Sequence, residues 1–124
     1  MEGLIKNYPY VIRYQNTTGK NTFYIKVTGL TYGIILFSTT KNNDAPYVIT
    51  ARTGTPATDI YVVGVNGSFN GIKPCKRAGD SALYFECDGG GVSGRYFDVY
   101  IYNKLKEDIS YSIEDNVDGL IYLD

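Results

Sequence analysis

The chain has 124 residues, a formal net charge of −1 and interspersed charges of both signs, and its densest basic group is Lys73, Lys76 and Arg77. This pattern argues against nucleic acid as a partner, because phosphate binding usually requires a basic face. The aliphatic residues stand in short runs, none near the ~18 apolar residues that indicate a membrane-spanning helix, so no membrane insertion is expected.

The N-terminal residues 1–9 lack both the basic region and the long apolar region of a signal peptide. We therefore expect synthesis in the cytoplasm without a signal peptide. Nothing in the composition divides the chain, and its length suits one domain. The predicted domain spans residues 1–124, and residues 1–8 could form an extended N-terminal arm ahead of the first strand.

Turn signals rich in glycine, asparagine and aspartate recur about every ten residues, and the segments between them alternate apolar and polar side chains. The predicted strands, in chain order, are residues 9–15, 22–29, 33–39, 46–52, 59–65, 71–76, 82–87, 95–103, 108–114 and 118–122. This pattern predicts an all-β fold, an antiparallel β-sandwich of jelly-roll-like form with little or no helix. Only residues 103–108 could hold a helical turn.

Alternation along the strands assigns one set of side chains to the core and another to the outer faces. The predicted inward residues are Phe23, Ile25, Val27, Ile34, Leu36, Ile60, Val62, Leu83, Phe85, Cys87, Phe97, Val99, Ile101, Ile109, Tyr111 and Ile113. The strand neighbours that then fall on the opposite faces include Tyr24, Tyr61, Tyr84, Tyr96, Tyr100 and Tyr102.

Thirteen tyrosines make the outward faces the candidate binding surface. A tyrosine ring brings apolar area and a hydroxyl with little rotamer entropy, and rings flanked by polar side chains suit carbohydrate. The predicted ligand-binding residues are Tyr61, Tyr84, Tyr96, Tyr100 and Tyr102. The alternative is that these rings pack against a neighbouring subunit or only reflect strand propensity.

The chain contains no histidine, which excludes Ser-His-Asp and Cys-His catalysis and histidine metal sites. We expect no catalytic residues, no metal and no cofactor. Glycoside hydrolysis needs only two carboxylates and would depend on Glu86 with Asp98, but an enzyme is not the expected class. Residues 115–119 are similar to the start of a calcium loop without its closing glutamate, and are predicted to form a hairpin turn.

Two cysteines, Cys75 and Cys87, lie on different predicted strands. A disulfide requires Cα atoms within ~7 Å, and the alternative, which the missing secretion signal favours, is two buried thiols.

Two further segments carry motif-like sequences. Residues 88–94 predict an exposed flexible loop rather than a phosphate-binding loop, because a strand and not a helix follows. Asn16 and Asn66 match glycosylation acceptors but are predicted to lie in turns.

Four segments, TFYIKVTG at 22–29, YVITAR at 47–52, SALYFE at 81–86 and YFDVYIY at 96–102, follow one another in an order with a family likeness. Over residues 22–113 the chain resembles the small jelly-roll domains at the distal ends of bacteriophage tail fibres and related contractile-injection fibres. The resemblance implies a homotrimer in a virion or extracellular setting whose loops or outer sheet faces bind a cell-surface glycan or protein without catalysis. It matches no individual receptor-binding residue.

Two alternatives use the same exposed aromatic side chains differently. A structural virion or assembly protein would bury them in large apolar contacts with other subunits. A free-standing carbohydrate-binding module would be a monomer with millimolar to micromolar sugar affinity.

Overall fold

The computed structural model describes residues 10–29, 33–41, 47–53, 60–66, 71–79, 82–102 and 109–122, with backbone and strand pairing alone within 33–66. The ten strands are β1 (Tyr10–Asn16), β2 (Thr22–Thr28), β3 (Gly33–Lys41), β4 (Tyr47–Thr53), β5 (Ile60–Asn66), β6 (Ile72–Lys76), β7 (Leu83–Asp88), β8 (Arg95–Tyr102), β9 (Ser110–Glu114) and β10 (Ile121–Tyr122). Each predicted strand is confirmed to within a few residues. The predicted arm at 1–8 and helical turn at 103–108 lie outside the described residues.

The strands form two five-stranded sheets in which every pair is antiparallel. Sheet A has the order β1-β8-β3-β4-β5, and sheet B has the order β10-β6-β7-β2-β9. The pairs β1 with β8 and β2 with β7 are nested in sequence and lie in different sheets, as in a jelly roll, whereas β3, β4 and β5 form a simple meander. The predicted all-β sandwich is confirmed. In the described part of the chain no helix is long and apolar enough to cross a membrane.

The core lies between the two sheets and follows the predicted alternation, except that Tyr111, predicted to be inward, is 42% exposed because it lies on the edge strand β9. In β2, Phe23, Ile25 and Val27 are fully buried and alternate with partly exposed residues. The ring of Phe23 in sheet B meets Phe97 of sheet A edge-on, with centroids 5.0 Å apart, and lies 4.9 Å from the ring of Tyr14, also in sheet A. Each such buried side chain contributes about 1.5–3 kcal/mol of hydrophobic stabilisation.

Strands β3 and β5 are described by their backbone alone, so the predicted inward side chains of Ile34, Leu36, Ile60 and Val62 lie outside the described residues. The register of β3 pairs Leu36 with Tyr102 and Phe37 with Ile101. The four consecutive apolar residues 34–37 contain no alternation from which the face could be read.

Both cysteines are buried thiols that form no disulfide, which is the alternative that the sequence analysis favoured. Cys87 belongs to the core between the sheets and pairs with Ile72, whereas Cys75 packs on the outer face of sheet B and pairs with Tyr84. Side chains on opposite faces of one sheet point apart and cannot form a disulfide without backbone movement.

The thiols should be unreactive in the folded protein. Burial raises the pKa of the Cys87 thiol well above its ordinary value, so little thiolate exists at neutral pH, and Cys75 is shielded as well. We expect Ellman's reagent to detect almost no free thiol in the native protein and both thiols after addition of denaturant. Rapid reaction of one equivalent under native conditions would contradict this burial.

Candidate functional site

The structure divides the predicted binding tyrosines between two sheets. Tyr96, Tyr100 and Tyr102 alternate with core residues along β8, so they lie together on the outer face of sheet A. Tyr84 lies on the outer face of sheet B. Tyr61 is part of β5 in sheet A, a strand described by its backbone alone. The predicted residues therefore do not form a single site.

Tyr84 is covered by the segment 115–120, which we call the C-terminal strap. Strands β9 and β10 lie at opposite edges of sheet B, four strand spacings or about 19 Å apart. From Glu114 to Ile121 the chain advances seven residues (121 − 114), a reach of at most about 23–25 Å, so the strap is long enough to cross the outer face. Val117 and Leu120 of the strap pack against a cluster that contains Tyr84.

Two consequences follow for the sequence predictions. Tyr84 is 1% exposed, so it serves packing in the folded chain and offers almost no surface to a ligand. The predicted hairpin turn at 115–119 is wrong, because β9 and β10 are not neighbours.

Among the described residues no group of acidic or cysteine side chains could hold a metal ion.

The outer face of β1 and β8 forms the first candidate surface, which we call the tyrosine face: Val11, Arg13, Tyr96, Asp98 and Tyr100. The strand register pairs Val11 with Tyr100 and Arg13 with Asp98. Val11 is 49% exposed and Tyr96 39%. The Cζ atom of Arg13 lies 4.6 Å from the centroid of the Tyr96 ring, within the range of a cation–π contact.

Asp98 anchors the arginine of the tyrosine face. Its side chain is almost fully buried, and its Oδ1 lies 3.4 Å from Nε of Arg13 without a hydrogen bond. Burial raises the pKa of Asp98, and the nearby Arg13 opposes this effect by favouring the carboxylate. The guanidinium is thus held between a carboxylate and an aromatic ring while its side chain remains largely exposed.

Asp98 and Glu86, the carboxylates considered for glycoside hydrolysis, are not brought together. Glu86 shares its face of sheet B with Tyr122, whereas Asp98 shares the outer face of sheet A with Arg13. Packed sheets lie about 10 Å apart, and these side chains point away from each other, beyond the 5 to 10 Å that the chemistry requires.

The second candidate surface is a half-open cavity of about 460 Å³ on sheet B, which we call the polar groove. Its lining includes Thr22, Gly71, Lys73, Glu86 and Asp88. The strand register explains this grouping, because Glu86 of β7 pairs with Lys73 of β6, and Asp88 of β7 pairs with Thr22 of β2. Two carboxylates, an ammonium group and a hydroxyl therefore converge within one concave surface.

Tyr122 of β10 borders the polar groove. Its hydroxyl donates a 2.6 Å hydrogen bond to Oε2 of Glu86, and Nζ of Lys73 lies 5.7 Å from the centroid of its ring. The hydrogen bond to Glu86 raises the pKa of Tyr122 to about 12, and burial and the charge of Glu86 act in the same direction. Near neutral pH the phenol therefore stays protonated and keeps donating to Glu86.

Asn16 fixes the loop that follows the groove. Its side chain is fully buried: Nδ2 donates to the carbonyls of Lys20 and Val92, at 3.0 and 3.3 Å, and Oδ1 accepts from the Lys20 N–H at 3.0 Å. The loop is exposed as predicted, but further backbone hydrogen bonds tie it to residues 16–21. A buried amide with these bonds cannot accept a glycan in the folded protein.

The loop packs so closely against Lys20 that position 89 requires glycine. A Cβ atom at Gly89 would lie 2.2 Å from the carbonyl oxygen of Lys20, too close for any side chain. The Gly90 N–H in turn donates to Oδ1 of Asp88 at 3.0 Å, which orients a carboxylate of the groove. The buried asparagine and the groove are thus parts of one hydrogen-bonded arrangement.

Sequence reasoning missed the groove, although one signal for it exists. Glu86 and Asp88 stand two residues apart, and in β7 their side chains share a face, but the predicted strand ended at residue 87 and left Asp88 in the loop. That signal does not show that Lys73 and Thr22 lie on either side, because neighbours across strands depend on the order of the sheet.

Comparison of the chain with protein families, with curated proteins and with solved structures gives no match. The class of protein is therefore defined by the fold alone, an antiparallel β-sandwich that presents a tyrosine face on one sheet and a polar groove on the other. Such a fold serves many functions, so function has to be argued from the surfaces.

Proposed function

We propose that the protein is a non-catalytic recognition domain that binds a cell-surface glycan or protein through the tyrosine face. The observation that supports this most is the placement of the Arg13 guanidinium between the Tyr96 ring and the Asp98 carboxylate. Tyrosine and arginine are the residues that most often dominate binding energy at interfaces. An arginine already held in position loses less conformational freedom when a ligand binds.

The tyrosine face combines three chemical properties that a recognition surface needs. Tyr96 offers an exposed ring, on which the C–H face of a sugar or an apolar side chain can stack. Arg13 has N–H groups beyond the Nε that faces Asp98, and these can donate to hydroxyl, carbonyl or carboxylate oxygens. Val11 adds exposed apolar area beside them.

The proposal includes a homotrimer, the assembly that the resemblance to fibre tips implies. Light scattering after size exclusion, over a hundredfold range of concentration, tests it against multiples of 13.8 kDa. A stable trimer supports a fibre-tip role. If assembly instead requires Val11 and Tyr96, the same surface serves subunit packing, and the structural assembly protein becomes the better description.

Removal of the Arg13 and Tyr96 side chains, which stack on each other, tests whether the tyrosine face is the binding surface. In the double variant Arg13→Ala/Tyr96→Ala we expect at least about tenfold weaker binding to intact bacterial cells and to immobilised glycans, since two central contacts are lost. Loss of Arg13 also leaves the buried Asp98 carboxylate without its partner, so the free energy of unfolding should fall by about 1–3 kcal/mol, and binding is compared at a temperature at which the variant is fully folded.

Tyr111→Ala provides the matched control, since it removes a similarly exposed tyrosine from sheet B. Cells treated with periodate lose glycans and cells treated with protease lose proteins, so the two treatments identify the ligand class. Binding by Arg13→Ala/Tyr96→Ala that equals wild type would rule out the tyrosine face.

A further inference from the structure

We propose that the polar groove is a second binding site, independent of the tyrosine face, and that its ligand is a neutral saccharide. The groove lies on sheet B and the tyrosine face on sheet A, so the core separates them. Its volume of about 460 Å³ falls within the ~300–1,000 Å³ that is typical of small-molecule sites.

The lining chemistry matches vicinal hydroxyl groups. Glu86 accepts a hydrogen bond from Tyr122 at Oε2, and Asp88 accepts one from the Gly90 N–H at Oδ1, so each carboxylate has a second oxygen for a ligand hydroxyl. Lys73 adds a donor, and Thr22 can donate or accept. Hydrogen bonds to charged groups are stronger than those between neutral groups, which suits recognition of an uncharged polyol.

The charge balance of the groove lining argues against the other simple ligand classes. Two carboxylates oppose one ammonium group, so a phosphate or carboxylate ligand would meet net repulsion. A hard cation would need more oxygen ligands than Glu86 and Asp88 supply, and Lys73 would repel it. A neutral ligand is not repelled by the two carboxylates, as an anion would be, or by Lys73, as a cation would be.

The groove is also organised before any ligand binds. Tyr122 holds Glu86 through its short hydrogen bond, and its ring, 48% exposed, stands at the border, where a pyranose could stack on it. Asp88 is held by the Gly90 N–H, and its own N–H donates to the Gly71 carbonyl at 2.8 Å. Acceptors fixed in this way cost less entropy when they bind a ligand.

The test is a titration of the ¹⁵N-labelled full chain, followed by NMR, with the methyl glycosides of glucose, galactose and mannose and with N-acetylglucosamine. We expect at least one of these neutral probes to shift the backbone amides of Thr22, Lys73 and Asp88 and to saturate in the millimolar range. The uronate that corresponds to the responsive probe, which adds a carboxylate, should bind at least about tenfold more weakly than that probe because of the repulsion.

Variants of the groove separate direct binding from a change of fold. Glu86→Gln should weaken binding of the responsive probe about tenfold, because a charge-assisted hydrogen bond becomes a neutral one. Glu114→Gln makes the same charge change on the same face outside the groove lining and should leave binding unchanged. If Glu86→Gln disturbs the dispersion of the whole spectrum, Lys73→Met replaces it as the test variant, with the same expected loss.

Three results would overturn the proposal. The first is that no neutral probe shifts the groove amides, and the second is that the corresponding uronate binds as tightly as the responsive neutral probe. The third is that the shifts occur only at Arg13 and Tyr96, an outcome that supports the tyrosine face and leaves the groove without a ligand.

Discussion

Replacement of Phe23 by alanine is expected to lower the free energy of unfolding by about 3–5 kcal/mol, which is the usual loss for a fully buried phenylalanine. Phe23 has no exposed surface, and its ring connects the two sheets through Phe97 and Tyr14. The loss has two parts, the missing burial of the ring and the cavity left between sheets that cannot close completely. Domains of this kind are stable by only about 5–15 kcal/mol, so the variant should be partly unfolded at moderate temperature.

Urea unfolding followed by circular dichroism measures this effect. Val92→Ala is the control, because Val92 is an exposed apolar side chain and its loss should change the free energy of unfolding by less than about 0.5 kcal/mol. A loss below about 1 kcal/mol for Phe23→Ala would mean that the sheets are not held together at this point.

The sequence predicted the strands correctly wherever one face is buried and the other is polar. In β2 the aliphatic residues alternate with tyrosine, lysine and threonine, and shifting the register by one residue would expose Phe23 and Ile25. In β3 the run of apolar residues at 34–37 is compatible with either face, so alternation cannot assign one there. The alternation of apolar and polar residues therefore indicates which face of a strand is buried, and hydrophobicity alone does not.

The candidate surfaces were less predictable because they depend on which strands become neighbours. Tyr84 has the same local pattern as Tyr96 and Tyr100, yet it is buried because the C-terminal strap crosses its face. The groove requires β6 and β2 to flank β7, an order fixed by packing of the whole chain. No local pattern around Glu86 contains that information.

The burial of Asn16 is another feature that the local sequence does not show. Replacement of Asn16 is expected to have the second large effect on the free energy of unfolding. The sequence context of Asn16 predicts a turn, whereas the structure makes it the last residue of β1, with its amide fully buried and held by three hydrogen bonds. Asn16→Ala leaves the Lys20 N–H without its acceptor and removes the amide donor from two carbonyl groups. Each buried polar group left unsatisfied costs about 1–3 kcal/mol, so we expect a total loss of about 2–4 kcal/mol in the free energy of unfolding.

The variant Asn16→Asp distinguishes these hydrogen bonds from simple packing, because it keeps the size of the side chain and replaces the two N–H donors by an acceptor. A buried aspartate that faces carbonyl oxygens should have a raised pKa in the folded state. Its folded-state pKa then exceeds its unfolded value, so the protonated form is favoured by folding and stability is lost as the pH rises through the folded pKa. Measured against wild type, Asn16→Asp should therefore recover part of its lost stability as the pH is lowered from 7 towards ~4.

Exposed Asn116 supplies the control, since Asn116→Ala should change stability by less than about 0.5 kcal/mol at any pH. Asn16→Asp as stable as wild type at neutral pH would contradict the hydrogen-bond assignment. The same variant also tests the link to the groove, because the loop that Asn16 fixes contains the Gly90 N–H that orients Asp88. A variant that folds at low temperature but binds the responsive saccharide more weakly would show that the buried asparagine positions the groove as well as stabilising the sandwich.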